Sequence, residues 1–143
     1  MHLAVYRARP DIGSIFHTHS TYATAFACLN MPIPPICHIS LRPYGGFVKV
    51  APYRMGGSVA LAEVAVDTLG KDGLAILLED HGVLACGRSM GRALICALNV
   101  EENAKIYHLA LQVGKPEPIA PEIVRAVLER NASRKKEYET LYP

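Results

Sequence analysis

Apolar residues recur along the chain with two spacings, and these predict strands and helices in alternation. Short, nearly continuous apolar runs predict strands at 13–18, 36–41, 47–51, 74–78 and 83–86. Helical spacing, with serine or threonine at the starts and proline or glycine at the ends, predicts helices at 2–8, 21–29, 58–69, 89–113 and from 121 onward. Strands mixed with helices in this way indicate an α/β fold.

The longest predicted helix has an apolar face made largely of small side chains. Ala93, Ala97, Val100 and Ala104 follow steps of four and three residues, and the alanines favour close packing against a sheet. On the other side of this helix, Glu101 and Lys105 are spaced for an ion pair. Glycine-containing turns at Tyr44-Gly45-Gly46 and His81-Gly82 favour hairpins, so the sheet should be at least partly antiparallel.

Composition narrows the possible classes of protein. The chain has 143 residues, of which half are hydrophobic and 20% charged, which favours one folded domain and excludes a disordered chain. A net charge of +2 argues against electrostatic binding of nucleic acid. No apolar run is long enough to predict a membrane span or a secretion signal. The four cysteines lack zinc-finger spacing and lie in apolar runs, so we expect buried, reduced thiols in a cytoplasmic protein.

Three of the six histidines are placed to share a metal ion. His17 and His19 are two residues apart at the end of a predicted strand, so their side chains should point to the same side. His81 follows another strongly apolar strand and precedes a glycine. Three neutral imidazoles with an open fourth position suit a catalytic zinc ion or a related divalent metal. The spacing alone leaves open that these are hydrogen-bonded histidines without a metal.

Several segments together resemble the class II aldolase and adducin family, with the L-fuculose-phosphate aldolases as the most similar members. They are AVYRARPD at 4–11, HTHS at 17–20, APY at 51–53, DHGVL at 80–84 and EENAKIY at 101–107. The motifs occur in the family's order and spacing, and the resemblance runs over almost the whole chain. The resemblance implies a three-layer α/β/α domain around a central, mostly antiparallel sheet. It also implies a homotetramer with active sites at the subunit interfaces.

The resemblance further implies a reaction and its metal. The family cleaves a ketose 1-phosphate reversibly into dihydroxyacetone phosphate and an aldehyde, with zinc or another divalent transition metal acting as a Lewis acid. The metal ligands would be His17, His19 and His81. The sugar phosphate would be the small-molecule partner, with no role for nucleic acid or a membrane.

Two departures from the family pattern concern proton transfer. The family's general base, a glutamate, aligns before Met1. The glycine- and serine-rich loops that bind the substrate phosphate also align before Met1. We therefore expect residues 1–143 to form a single family domain that is shortened at its N-terminus. A missing base typically slows turnover by about 10²–10⁴-fold. His38 stands where the fuculose-phosphate aldolases carry an interface tyrosine, and Tyr44 is the nearest phenol, so both are candidate acids.

Two other functions fit the same sequence. One is a non-catalytic assembly domain, as in adducin, which the missing glutamate and phosphate loops favour. The other is a different reaction on the same fold, namely an epimerase, dehydratase or decarboxylase. These enzymes use the same metal ligands, so the ligand pattern does not separate them from an aldolase.

Overall fold

A computed structural model describes residues 1–41 and 46–130. The helices are α1 (His2–Ala8), α2 (Thr21–Cys28), α3 (Val59–Leu69) and α4 (Met90–Val113), with a 3-10 helix at His38–Leu41. The strands are β1 (Ser14–Thr18), β2 (Lys49–Ala51), β3 (Ala75–Leu78) and β4 (Gly82–Gly87). Residues 121–130 are also helical. Within these described ranges, no helix has both the length and the apolar character to cross a membrane.

The four strands form one mixed sheet in the order β1-β4-β3-β2. β4 pairs antiparallel with both β1 and β3, whereas β2 pairs parallel with β3. The turn between β3 and β4 is the hairpin predicted at His81-Gly82. Two of the three strand pairings are antiparallel, which confirms the expected character of the sheet.

Helices cover both faces of this sheet, because the side chains of its central strands alternate between two cores. Ala75 and Leu77 of β3 face α2 and α4, while Ile76 and Leu78 face α1 and α3. β4 alternates in the same way, with Val83 on the first side. The first core includes Phe26, Ala27, Ala97, Val100 and Ala104; the second includes Val5, Leu61, Ala65 and Leu69. The predicted three-layer α/β/α arrangement is therefore confirmed.

A buried arginine ties α1 to the loop between α3 and β3. The Arg9 guanidinium donates to the backbone oxygens of Gly70 and Gly73, at 2.9 Å each. It also forms a two-pronged ion pair with Asp11, at 2.8 Å for both hydrogen bonds. The hydrogen bond from Arg9 holds the pKa of the Asp11 carboxyl below its usual value. These contacts fix the end of α1 on the face of the sheet that also contains His17.

The expected strand at 36–41 is wrong, because residues 38–41 form a 3-10 helix. Both the backbone N–H and the side-chain hydroxyl of Ser40 donate to the Cys37 oxygen, which closes a tight local turn. Ile33 instead makes the antiparallel bridge to Val48. The predicted turn at Tyr44-Gly45-Gly46 falls largely outside the described residues.

The cysteines agree only in part with the expectation of buried thiols. Cys86 and Cys96 are buried, and burial raises the pKa of each thiol to about 12. Both are therefore protonated and unreactive at neutral pH. Cys28, at the end of α2, is exposed. The prediction was wrong there because the last turn of α2 points this side chain away from the sheet.

Candidate metal centre

The sheet brings together three histidines from distant parts of the sequence. His17 lies on β1, His19 lies one residue beyond that strand, and His81 lies in the turn between β3 and β4. Antiparallel pairing places Thr18 of β1 opposite Val83 of β4, next to this turn. Residues separated by 64 positions therefore meet at one end of the sheet.

The geometry of the three imidazoles suits a single ion. One nitrogen from each ring lies within 4.8 Å of the other two. The Nε2 atoms of His17 and His81 are 3.2 Å apart. Two nitrogens bound to one tetrahedral zinc at about 2.0–2.1 Å are separated by about 3.3–3.4 Å, which is close to this distance. In the metal-free protein the same two atoms can share a proton in a hydrogen bond.

A backbone carbonyl determines that Nδ1 of His17 carries a proton. The Nδ1 atom lies 2.8 Å from the Val83 oxygen, and since a carbonyl can only accept, Nδ1 carries the proton and donates it. The lone pair of a neutral His17 is then on Nε2, which faces His81. Metal-binding histidines are oriented in this way by a partner on the other ring nitrogen.

The partly buried position of His81 favours its neutral form. Its pKa is lowered, mainly by desolvation and then by the nearby His17 and His19. The neutral imidazole is the form that binds a metal. His17 and His81 are partly buried, whereas His19 is exposed. The cluster thus has a protein-facing side and a side open to water or a small molecule.

Gly82 allows the turn to approach the end of β1. A Cβ atom at this position would lie 2.5 Å from the Thr18 oxygen and 2.8 Å from Cδ2 of His19. Asp80 takes a left-handed backbone conformation, with φ of 54°, which reverses the chain before His81. The sequence Asp80-His81-Gly82 therefore permits the close packing that brings His81 and His19 together.

Among the described residues, the other candidates do not belong to the cluster. His38 is exposed on the 3-10 helix and is not part of the cluster. Tyr44 is outside the described residues, so its predicted role is untested. His108 packs its ring against Tyr22 on α2. His2 has a lowered pKa, caused by burial and then by His17, so α1 begins close to the cluster.

The sequence analysis missed the contact made by Glu101. Instead of pairing with Lys105, its carboxylate accepts hydrogen bonds from the backbone N–H groups of Tyr22 and Ala23, at 2.9 Å each. Lys105 lies over the ring of Tyr22, with 6.0 Å between Nζ and the ring centre. Helical spacing predicts contacts only between residues of the same helix, so it could not predict that Glu101 binds the backbone of α2.

The family assignment rests on most of the chain. Residues 1–108 match the family model of the Class II Aldolase and Adducin N-terminal domain. The chain belongs to the class II aldolase and adducin family. The matched region includes all three histidines of the cluster, His17, His19 and His81.

Two of the relatives that the chain matches are sugar-phosphate aldolases. The chain is 35% identical over 130 residues to L-fuculose phosphate aldolase of Escherichia coli O6:H1, covering 90% of this chain and 60% of that protein. It is 33% identical over 129 residues to 5-methylthioribulose-1-phosphate/5-deoxyribulose-1-phosphate aldolase of Rhodospirillum rubrum, covering 90% and 58%. The chain therefore spans about three fifths of the length of these relatives.

Solved structures of the family share this fold. An L-fuculose 1-phosphate aldolase superposes with a TM-score of 0.87 at 37% identity, covering 92% of this chain and 61% of that one. YgbL of Escherichia coli, described as a putative aldolase/epimerase/decarboxylase, gives a TM-score of 0.75 at 29% identity, covering 88% and 62%. Both matches extend beyond the histidine cluster to nearly the whole chain.

Proposed function

We propose that this protein is a divalent-metal-dependent sugar-phosphate aldolase of the cytoplasm. It would cleave a ketose 1-phosphate reversibly into dihydroxyacetone phosphate and an aldehyde, as in fuculose-phosphate aldolase. The observation that carries the proposal is the cluster of His17, His19 and His81, whose ring nitrogens lie within 4.8 Å of one another. The sugar-phosphate aldolases among the relatives support the substrate class.

The three histidines would hold the ion, which we propose to be zinc or another divalent transition metal. A bound ion supplies Lewis-acid polarisation of substrate oxygens. The hydrogen bond from His17 to the Val83 oxygen fixes the orientation of one ligand ring. The exposed side at His19 leaves room for the oxygens of a small sugar phosphate beside the cluster.

Proton transfer is proposed for His38 or Tyr44. His38 is exposed and lies outside the histidine cluster of its own chain. This placement supports a role at the site of a neighbouring copy, where an imidazole can act as general acid or base.

We also propose a homo-oligomer, specifically a homotetramer. The outer surface of α4 supports this, since Met90, Leu94 and Leu98 are spaced by four residues and are 71%, 42% and 59% exposed. Such a stripe of apolar side chains is typical of an interface. Sedimentation velocity at micromolar concentration should show an assembly larger than one chain. A strictly monomeric species would contradict the proposed interface.

The reaction can be tested with the metal-loaded chain. L-fuculose 1-phosphate and 5-deoxyribulose 1-phosphate would be supplied separately, and dihydroxyacetone phosphate would be measured with a coupled NADH assay. We expect release above the enzyme-free blank, loss of release with a chelator, and recovery when metal is restored. A chain that holds its metal but releases no dihydroxyacetone phosphate from either ketose 1-phosphate would contradict the proposed aldolase and favour the assembly domain.

A further inference from the structure

The N-terminus of α2 is bound by a carboxylate from a different helix. Both oxygens of Glu101, near the middle of α4, accept backbone hydrogen bonds, one from Tyr22 and one from Ala23. These N–H groups belong to the first turn of α2 and have no partner within the helix. A negative charge at this end also interacts favourably with the helix dipole.

The residue before α2 does not provide this cap. Ser20 is in the N-cap position, but its side chain makes no capping hydrogen bond. Its hydroxyl instead lies 2.7 Å from that of Thr18. Glu101 therefore caps the N-terminus of α2. In α3 and α4 the cap is a serine next to the helix, Ser58 or Ser89, whose hydroxyl accepts a hydrogen bond from a backbone N–H of the first turn.

The capped helix begins two residues after a metal-ligand candidate. Only His19 and Ser20 separate the end of β1 from the start of α2. The backbone of His19 is thus held on one side by the pairing of β1 with β4, and on the other by the first turn of α2. Glu101 anchors that first turn through its two hydrogen bonds, and only two residues separate α4 from the end of β4.

We propose that Glu101 is a positioning residue for the metal centre, which acts by fixing the α2 N-terminus and thereby the His19 imidazole. The inference rests on the metal site of the proposed function. Glu101 itself would not touch the ion. Its loss would leave three histidines in the sequence but would loosen the backbone that presents one of them.

The test compares Glu101→Gln with Glu102→Gln in the full chain. Both variants remove one negative charge from α4, but Glu102 is exposed and its carboxylate makes no such cap. Cobalt(II) would be titrated into each protein and followed by its visible absorption spectrum. We expect Glu101→Gln to bind cobalt about tenfold more weakly, with an altered spectrum at saturation, and Glu102→Gln to match the wild type.

Each outcome of this titration is decisive. Equal affinity and an identical spectrum for Glu101→Gln would overturn the positioning role, even if that variant unfolds at a lower temperature, since a purely structural cap predicts that result. If the wild-type chain binds no cobalt, the metal site of the proposed function fails first and the inference fails with it.

A second measurement needs no variant. Coupling between two sites is reciprocal, so binding of zinc to the wild-type chain should strengthen the cap on α2. Hydrogen exchange followed by NMR should then show slower exchange of the Tyr22 and Ala23 amides in the zinc-bound protein than in the metal-free one. Unchanged protection of these two amides, with zinc shown to be bound, would overturn the proposal.

Discussion

Replacing His81 by alanine is expected to lower the affinity for zinc or cobalt by more than about 100-fold. Losing a residue that only orients a metal ligand typically lowers metal affinity by about 10–100-fold, and losing a ligand itself should lower it further. The substitution removes one of three clustered imidazoles and leaves a two-residue site at the end of β1. The proposed metal-dependent release of dihydroxyacetone phosphate should disappear with it. Isothermal titration calorimetry with zinc would measure the loss of affinity.

His38→Ala is the matched control for this experiment. It removes an exposed imidazole that lies on the 3-10 helix, outside the cluster. Its zinc affinity should equal that of the wild type. If both variants retain wild-type affinity, the metal does not depend on His81 and the site is assigned to the wrong residues.

The second large effect concerns stability, and it is expected for Arg9→Met. This change keeps much of the side chain's volume but removes the hydrogen bonds to Gly70, Gly73 and Asp11. Hydrogen bonds from a charged donor contribute about 1.5–3 kcal/mol each, less where water competes, so we expect the free energy of unfolding to fall by about 2–4 kcal/mol. Urea unfolding followed by circular dichroism would measure it.

Arg7→Met provides the comparison for Arg9→Met. Arg7 is exposed on the same helix, and a surface change of this kind usually alters stability by less than about 0.5 kcal/mol. A similar loss in both variants would mean that the contacts of Arg9 with the α3–β3 loop contribute little.

The Arg9–Asp11 pair also predicts a dependence on pH. Arg9 lowers the pKa of Asp11 in the folded state, so the stabilisation is fully present above the unfolded pKa of about 3.9 and is lost as the pH falls through the folded pKa. Asp11→Asn should therefore flatten the loss of stability on acidification below about pH 4. The exposed position of Asp11 keeps this contribution small.

Much of the fold could be predicted from the sequence because its signals are local. Strands β3 and β4 are continuous apolar runs, and Ser58 and Ser89 cap their helices as expected. The segment 36–41 could not be predicted in this way. Its apolar residues resemble a strand, but hydrogen bonds from Ser40 to Cys37 close a 3-10 turn, and the neighbouring bridge uses Ile33.

The candidate site, too, could be predicted only in part from local signals in the sequence. The spacing of His17 and His19 predicts that they share one side of a strand end, and the structure places them together. Their meeting with His81 depends on the antiparallel register of β1 and β4, which no local pattern encodes. The cap by Glu101 was missed for the same reason, since it joins residues 78 and 79 positions apart.

X-ray absorption at the zinc edge of the purified, zinc-loaded chain tests the central claim most directly, because it reports the ligands of the ion itself. We predict one zinc per chain, with three imidazole nitrogens at about 2.0–2.1 Å and a further oxygen from water. A chain that retains no zinc after dialysis, or a spectrum without the scattering signature of imidazole, would contradict a metal centre at His17, His19 and His81.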